Sequence, residues 1–245
     1  MSNPLGQIVS NWTARPFPER KVLVGRSVRL EPLDPAAHEP VLWLAAQGAN
    51  QIPGFWDYLN YGPYLDREEF RADMAKNAES HDPRFFAVID QRTGKAEGVA
   101  SLLRIDLANG VAEVGHIWFG PALRQTTAAT EAIYLFADYV CTDLGYRRFE
   151  WKCNSLNAPS RRAAERFGFA FEGIFRNHMI SRGRNRDTAW YAFIDTDWPV
   201  IKAAFETWLD PANFDVNGNQ IRRLEEVRLT LTTDSADERF PTAAG

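Results

Sequence analysis

The order of apolar patterns along the 245-residue chain predicts an α/β fold, an α+β mixed sheet with helices on both faces. Three observations carry this expectation. Three strand-like runs between residues 85 and 119 follow one another through turns, which makes an antiparallel meander. The third run leads through a turn into a long amphipathic helix and then a strand, a β-α-β crossover that pairs parallel strands. Two more strand patterns around a basic turn close the sheet. The predicted order is β-α-α-β-β-β-α-β-α-β-β.

Residues 1–20, with Pro4, Pro16 and Pro18, read as an arm draped over the domain, because Trp12 and Phe17 need cover. Val28, Leu30 and Leu33 suggest a first strand. Asp34-Pro35 then gives an N-cap and an N1 proline, and the helix it opens is expected to end at Gly48. An aromatic loop follows, with Phe55, Trp56, Tyr58, Tyr61 and Tyr64. Asp66 and Glu69 form a capping-box pattern ahead of Phe70, Met74 and Ala78. The meander comprises Phe85–Ile89, Val99–Ile105 and Val111–Phe119, with Asn109-Gly110 as a two-residue hairpin turn.

After Pro121 the spacing of Ile133, Phe136, Val140 and Leu144 predicts the longest helix, with Gly145 at C′. Phe149, Trp151 and Cys153 alternate as a strand. Asn157-Ala158-Pro159-Ser160 opens a short helix closed by Gly168. Phe169–Phe175 and Thr188–Ile194 flank the basic turn Arg182–Arg186, and Trp198-Pro199 starts a helix to about Leu209. The domain is therefore expected over 21–209. Residues 210–245 form a polar tail, patterned only at Val227–Leu231.

Composition excludes more than it selects. Hydrophobic residues make up 45% and charged residues 24%, with a net charge of −4, so nothing steers the chain to nucleic acid. No apolar run approaches the ~18 residues of a membrane span, and a reducing cytoplasm is the expected compartment. Cys141 and Cys153 match neither a metal nor a redox spacing and read as small core residues. No metal is expected.

The informative segment is Glu113–Glu131, EVGHIWFGPALRQTTAATE. A strand enters a turn of small residues that opens a helix. Backbone N–H groups there make a nest for phosphate oxygens, reinforced by the helix dipole and by Arg124. Thr127, Ala128, Ala129 and Thr130 are small enough to let phosphate approach the backbone. Many strand-to-helix turns share this pattern, so it acquires meaning only from its neighbours.

Those neighbours resemble the GNAT acyltransferases. Arg124-Gln125-Thr126-Thr127-Ala128-Ala129 is similar to that family's pyrophosphate loop, R/Q-x-x-G-x-G/A, and Thr130-Glu131-Ala132 to the T-E-A of its RimJ/RimL-like branch. Asn157-Ala158-Pro159-Ser160 with Phe167-Gly168-Phe169 resembles the N-x-x-S…G-F segment, and the likeness spans about 26–196. Thr127 stands where the loop has its first glycine; its Cβ narrows the nest and its hydroxyl can donate a hydrogen bond.

The resemblance implies a GNAT-like acyl-CoA N-acyltransferase fold and acetyl transfer from acetyl-CoA to a primary amine. The acceptor is a small amine, an amino acid or a protein N-terminus, attacked directly in a ternary complex. It implies that Ile117, Trp118 and Phe119 pair with the pantetheine arm and polarise the thioester, and that Asn157 contacts the donor. Glu113 falls where the family places a general base, and a buried Glu paired with an Arg is the other reading. His116 is the next candidate; on a regular strand it points to the opposite face. Ser160 is the hydroxyl available to protonate the departing thiolate, since Ala164 stands where many relatives have Tyr. Trp56, Tyr58 and Tyr61 are placed to wall an acceptor pocket, with packing between helices as the alternative. A homodimer stays open. The rival readings are a non-catalytic acyl-CoA sensor or partner-binding domain, and a succinyl-type transferase that a basic pocket near the thioester would mark.

Overall fold

Asn3 and residues 5–237 are described by the computed structural model; Pro4 of the expected arm and residues 238–245 of the expected tail lie outside the described residues. Among the described residues eight strands form one sheet in the order β1-β2-β3-β4-β5-β6-β8-β7. They are β1 Leu23–Val24, β2 Val28–Pro32, β3 Arg84–Asp90, β4 Lys95–Asp106, β5 Val111–Phe119, β6 Arg148–Asn154, β7 Ala170–Ser181 and β8 Arg184–Ile194. Neighbours run antiparallel except β5 and β6, which are parallel across the expected crossover.

Alternation along the strands divides the core in two. Phe86, Val88, Ala100, Leu102 and Val114 face helix α3 (Thr127–Asp138) and α5 (Trp198–Leu209), together with Ile133, Phe136 and Phe205. Phe85, Ala87 and Val99 face α1 (Pro35–Asn50) and α2 (Arg67–Glu79), with Leu42, Phe70 and Met74. Both of these helices start as expected: Asp34 accepts from the Ala36 N–H at 2.9 Å and Asp66 from the Glu68 N–H at 2.8 Å.

Several boundaries differ from the pattern. Gly48 lies inside α1 against Pro121, 3.1 Å from where its Cβ would sit, so it marks a close approach and not the helix end. The helix after Pro121 begins only at Thr127, and residues 139–143 continue it as a π-helical turn. Asn109-Gly110 belongs to a four-residue connection, 107–110, in which Asp106 accepts from the Asn109 N–H at 3.0 Å. β7 and β8 extend almost to the tip of their hairpin. Helix α4 (Ala158–Arg166) follows β6, and α6 (Leu224–Asp237), unanticipated beyond Val227–Leu231, buries Leu224 and Val227 in the first core. The N-terminal arm is tied down: the Trp12 indole donates to the Ala108 carbonyl at 2.7 Å, and Tyr146 to that of Pro16 at 3.1 Å. No helix among the described residues is long and apolar enough to cross a membrane.

Two irregularities of β5 position the site. Its pairing with β4 slips between Ser101↔Gly115 and Val99↔Trp118, and His116 takes φ +50° there. This bulge reverses the alternation: Val114 faces the α3 core, yet Trp118, of the same parity, is buried in the α1–α2 core. Pairing of β5 with β6 ends at Val114↔Trp151. Beyond that point β5 stays with β4 and β6 with β8, so the two parallel strands splay at their carboxyl ends.

Candidate active site

The splay opens a cleft of about 1120 Å³, lined from the turn before α3 to the β7–β8 hairpin. On the α3 side, Thr126 caps the helix: its hydroxyl accepts from the Ala129 N–H at 3.2 Å and donates to the Leu123 carbonyl at 2.6 Å. Gln125 is held at φ +59°. The N–H groups of Gln125, Thr127 and Ala128 find no acceptor among the described residues, as at any helix start, where an anion can bind. Arg124, Gln125, Thr126, Thr127, Ala129 and Thr130 line the cleft; Ala128 turns its methyl into the core and offers only its backbone. Arg166, which sequence reasoning missed, reaches the same end and donates to the Thr130 hydroxyl at 3.0 Å. Burial holds its guanidinium below its ordinary pKa. Its place in α4, nine residues after the N-x-x-S asparagine, carried no signal of that approach.

Ile117, Trp118 and Phe119 border the cleft along the β5 edge left free by the splay. Trp118 keeps its indole buried against Trp56, ring centroids 5.7 Å apart. Asn157 caps α4 by accepting from the Ser160 N–H at 3.1 Å, which leaves its side-chain NH2 free to meet a ligand. Ser160 lines the cleft beside Cys153, and its Oγ accepts from the Trp151 indole N–H at 3.0 Å. Burial raises the Cys153 thiol, with its hydrogen bond to Ser160 opposing. Ala164, by contrast, is wholly buried.

Across the sheet, Glu113 and His116 line the same cleft. The expectation that they diverge is corrected by the bulge, which turns His116 to the face of Glu113, where it stacks on Tyr61 at 5.9 Å and meets Phe85 at 5.2 Å. Burial lowers the His116 pKa, with Arg186 adding to the effect. Glu113 is 5% exposed, and its Oε2 lies 3.0 Å from Lys152 Nζ and 3.3 Å from Arg104 Nε. Burial raises its pKa; Lys152 and then Arg104 pull the other way. The pairing reading named an Arg, and the nearer partner is Lys152. A lysine out of step with Phe149, Trp151 and Cys153 was the available signal, because Glu150 and Lys152 then flank Glu113 across the parallel pair.

The aromatic loop roofs this side. Tyr61 donates to the His116 carbonyl at 3.1 Å and Tyr58 to that of Leu156 at 3.1 Å, and both line the cleft. Trp56 does not: its indole is buried in the second core, where it donates to Asn50 Oδ1 at 2.8 Å. An amphipathic ring able to reach a buried amide oxygen packs inward, so Trp56 supports Tyr61 and Tyr64 from beneath. The hairpin tip joins the roof. Ser181 donates to Asn60 Oδ1 at 2.6 Å and Arg182 to the Tyr61 carbonyl at 2.8 Å and to that of Gly62.

A model of the acetyltransferase (GNAT) domain matches residues 27–170. A crystal structure of a GCN5-related N-acetyltransferase from Brucella melitensis is 50% identical, with a TM-score of 0.86, over 90% of this chain and 99% of that one. An uncharacterized N-acetyltransferase of Bacillus licheniformis, p20, is 28% identical over 151 residues, 60% of this chain and 83% of its own.

Proposed function

Because the chain belongs to the acetyltransferase (GNAT) family and is an acyl-CoA-dependent N-acyltransferase, we propose that it transfers an acetyl group from acetyl-CoA to a primary amine. The amine attacks directly in a ternary complex. The observation that carries this reading is one cleft bounded by a row of free helix-start amides at one end and by Glu113 at the other.

The donor fits these residues. The N–H groups of Gln125, Thr127 and Ala128, with Arg124 and Arg166, would hold its pyrophosphate, and the free β5 edge at Ile117–Phe119 would pair with the pantetheine amides. Asn157 adds a donor at the far wall. As donor substrate, acetyl-CoA supplies the thioester whose carbonyl carbon the amine attacks. Glu113, directly or through a water, takes the proton that the amine loses as the C–N bond forms. The C–S bond breaks, and Ser160 offers its proton to the departing thiolate. His116, turned to the same side, supports Tyr61 and stands second as a base.

The cations near Glu113, Arg104 and Arg186, favour a second reading in which the acyl group is succinyl-like. Calorimetric titration with acetyl-, succinyl- and free CoA separates the two, followed by thiol release on a panel of amines. Acetyl-CoA binding in the micromolar range, with thiol release that requires an amine, is the expected result. Preference for succinyl-CoA selects the second reading. Tight binding without turnover on any amine would leave an acyl-CoA sensor.

A further inference from the structure

Among the described residues lining the cleft, Glu113 is the only carboxylate, whereas Arg104, Lys152 and Arg186 all reach its neighbourhood. Two of these cations are accounted for. Lys152 lies between Glu113 and Glu150, at 3.0 and 2.6 Å, and Arg104 pairs with Glu113. Arg186 is not. Its side chain makes no hydrogen bond or ion pair with any described residue, and its Nε is buried without a partner. Arg186 is half-buried, and a guanidinium N–H taken from water without an acceptor is costly.

The position of Arg186 indicates what it meets. Along β8, Arg186, Thr188 and Trp190 alternate onto one face, where Lys152 packs 3.6 Å from the Trp190 ring. This is the face of Glu113 and His116, opposite the α3 amides and Ser160. His178, whose Nδ1 lies 2.9 Å from the Thr188 hydroxyl, stands there too. Beyond Asn154↔Thr188, β8 has left β6, so Arg186 lies past the splay and lines the same cleft as Tyr61. An anion held there sits on the acceptor's side of the transferred group.

Resting on the transferase reading above, we propose that Arg186 binds a carboxylate of the acceptor, making the acceptor class an amine with a carboxylate close to it. Its fork of donors matches a carboxylate bidentately, and Arg104 and Lys152 keep the surrounding field positive. Polyamines and other polycationic amines are disfavoured by the same field.

The test uses the full chain loaded with CoA. It is titrated calorimetrically with the N-acetyl forms of glycine, β-alanine, 4-aminobutyrate and glutamate, each beside its neutral amide. A short peptide amide beginning with acetyl-Asp, beside its Asn counterpart, separates a free amino acid from an acidic peptide end. At least one acid binds roughly 30-fold more tightly than its amide, the scale of a charged hydrogen-bonded pair. Arg186→Gln reduces that preference below about threefold while Arg186→Lys keeps part of it, with CoA affinity and Tm unchanged. Acid and amide binding alike, neither binding at all, or a preference that survives Arg186→Gln overturns the proposal. So does a selective loss of succinyl-CoA affinity in Arg186→Gln, which assigns the carboxylate to the acyl chain. Because binding is read without turnover, failure of the transferase reading appears separately, as absence of thiol release.

Discussion

Lys152 Nζ stands 3.0 Å from Oε2 of Glu113 and 2.6 Å from Oε2 of Glu150, over the face of Trp190 at 3.6 Å. The parallel register that sets Glu113 beside Glu150 brings the lysine there. A single buried cation thus works against the upward shift that burial imposes on the Glu113 carboxyl. That balance has a consequence for the pH dependence of the reaction.

A general base acts only when ionised. Since burial raises Glu113 above the ordinary carboxylate value of ~4.3, kcat/KM should rise with pH along an acidic limb displaced upward from that value. Lys152→Met removes an opposing influence, so the limb moves to higher pH; a limb that stays put or moves down contradicts the assignment. Glu113→Gln should abolish the limb and lower kcat by about 10²–10³-fold. His116→Asn should retain the limb, and its loss there would transfer the base role to His116.

Ser160→Ala should lower kcat about tenfold and leave the KM for acetyl-CoA within about twofold. This is less than the usual ~10²–10⁴ of acid–base groups, because a thiolate of pKa ~8.5 leaves readily. Trp151→Phe, which removes the indole donor to Ser160 Oγ, should reproduce part of that loss. Steady-state kinetics with both substrates varied decides it. A rise in KM alone would make Ser160 a binding residue.

Gln125 holds the turn proposed to meet phosphate at φ +59°, a conformation that costs an L side chain ~1–2 kcal/mol and suits β-branched ones least. Gln125→Val should therefore weaken CoA binding by roughly 5–30-fold, while Gln125→Gly leaves it unchanged or slightly tighter. Calorimetry on both variants reads the effect. Equal affinities would show that the turn's conformation does not govern binding.

Glu131, 5% exposed on α3, accepts from the Arg26 N–H at 2.7 Å, the Ser27 N–H at 2.7 Å and the Ser27 hydroxyl. The helix is tied in this way to the β1–β2 turn, at Gly25, where a Cβ would come within 2.6 Å of the carboxyl. Glu131→Ala should cost about 3 kcal/mol, lowering Tm by roughly 6–12 °C. A Tm within 2 °C of the parent would show those backbone donors to be satisfied elsewhere.

How much of the site was legible depends on the range of the interaction. The helix start before α3 could be read because small residues before an apolar helical stripe act locally, and the Asn157 cap of α4 because a cap is a three-residue affair. Trp56 was misplaced for the same reason in reverse. An aromatic loop has no period, so nothing local tells a ring that walls a pocket from one buried against Trp118. Arg166 carried no sequence signal, and Arg186 stood out only as the end of the basic turn Arg182–Arg186, which could reach an acidic acceptor group or be merely solvated; their neighbours come from distant strands and helices.

From its sequence alone, this chain determined the order of strands and helices, the caps at Asp34 and Asp66, and a helix start suited to phosphate. Periodicity, caps and turn residues are set by neighbours a few positions away. Only the tertiary structure decided that His116 shares a face with Glu113, that Lys152 sits against that carboxylate, and that the Arg186 side chain has no partner among the described residues. These follow from the slipped β4–β5 register and the parting of β5 from β6, which depend on pairing between strands far apart in the chain.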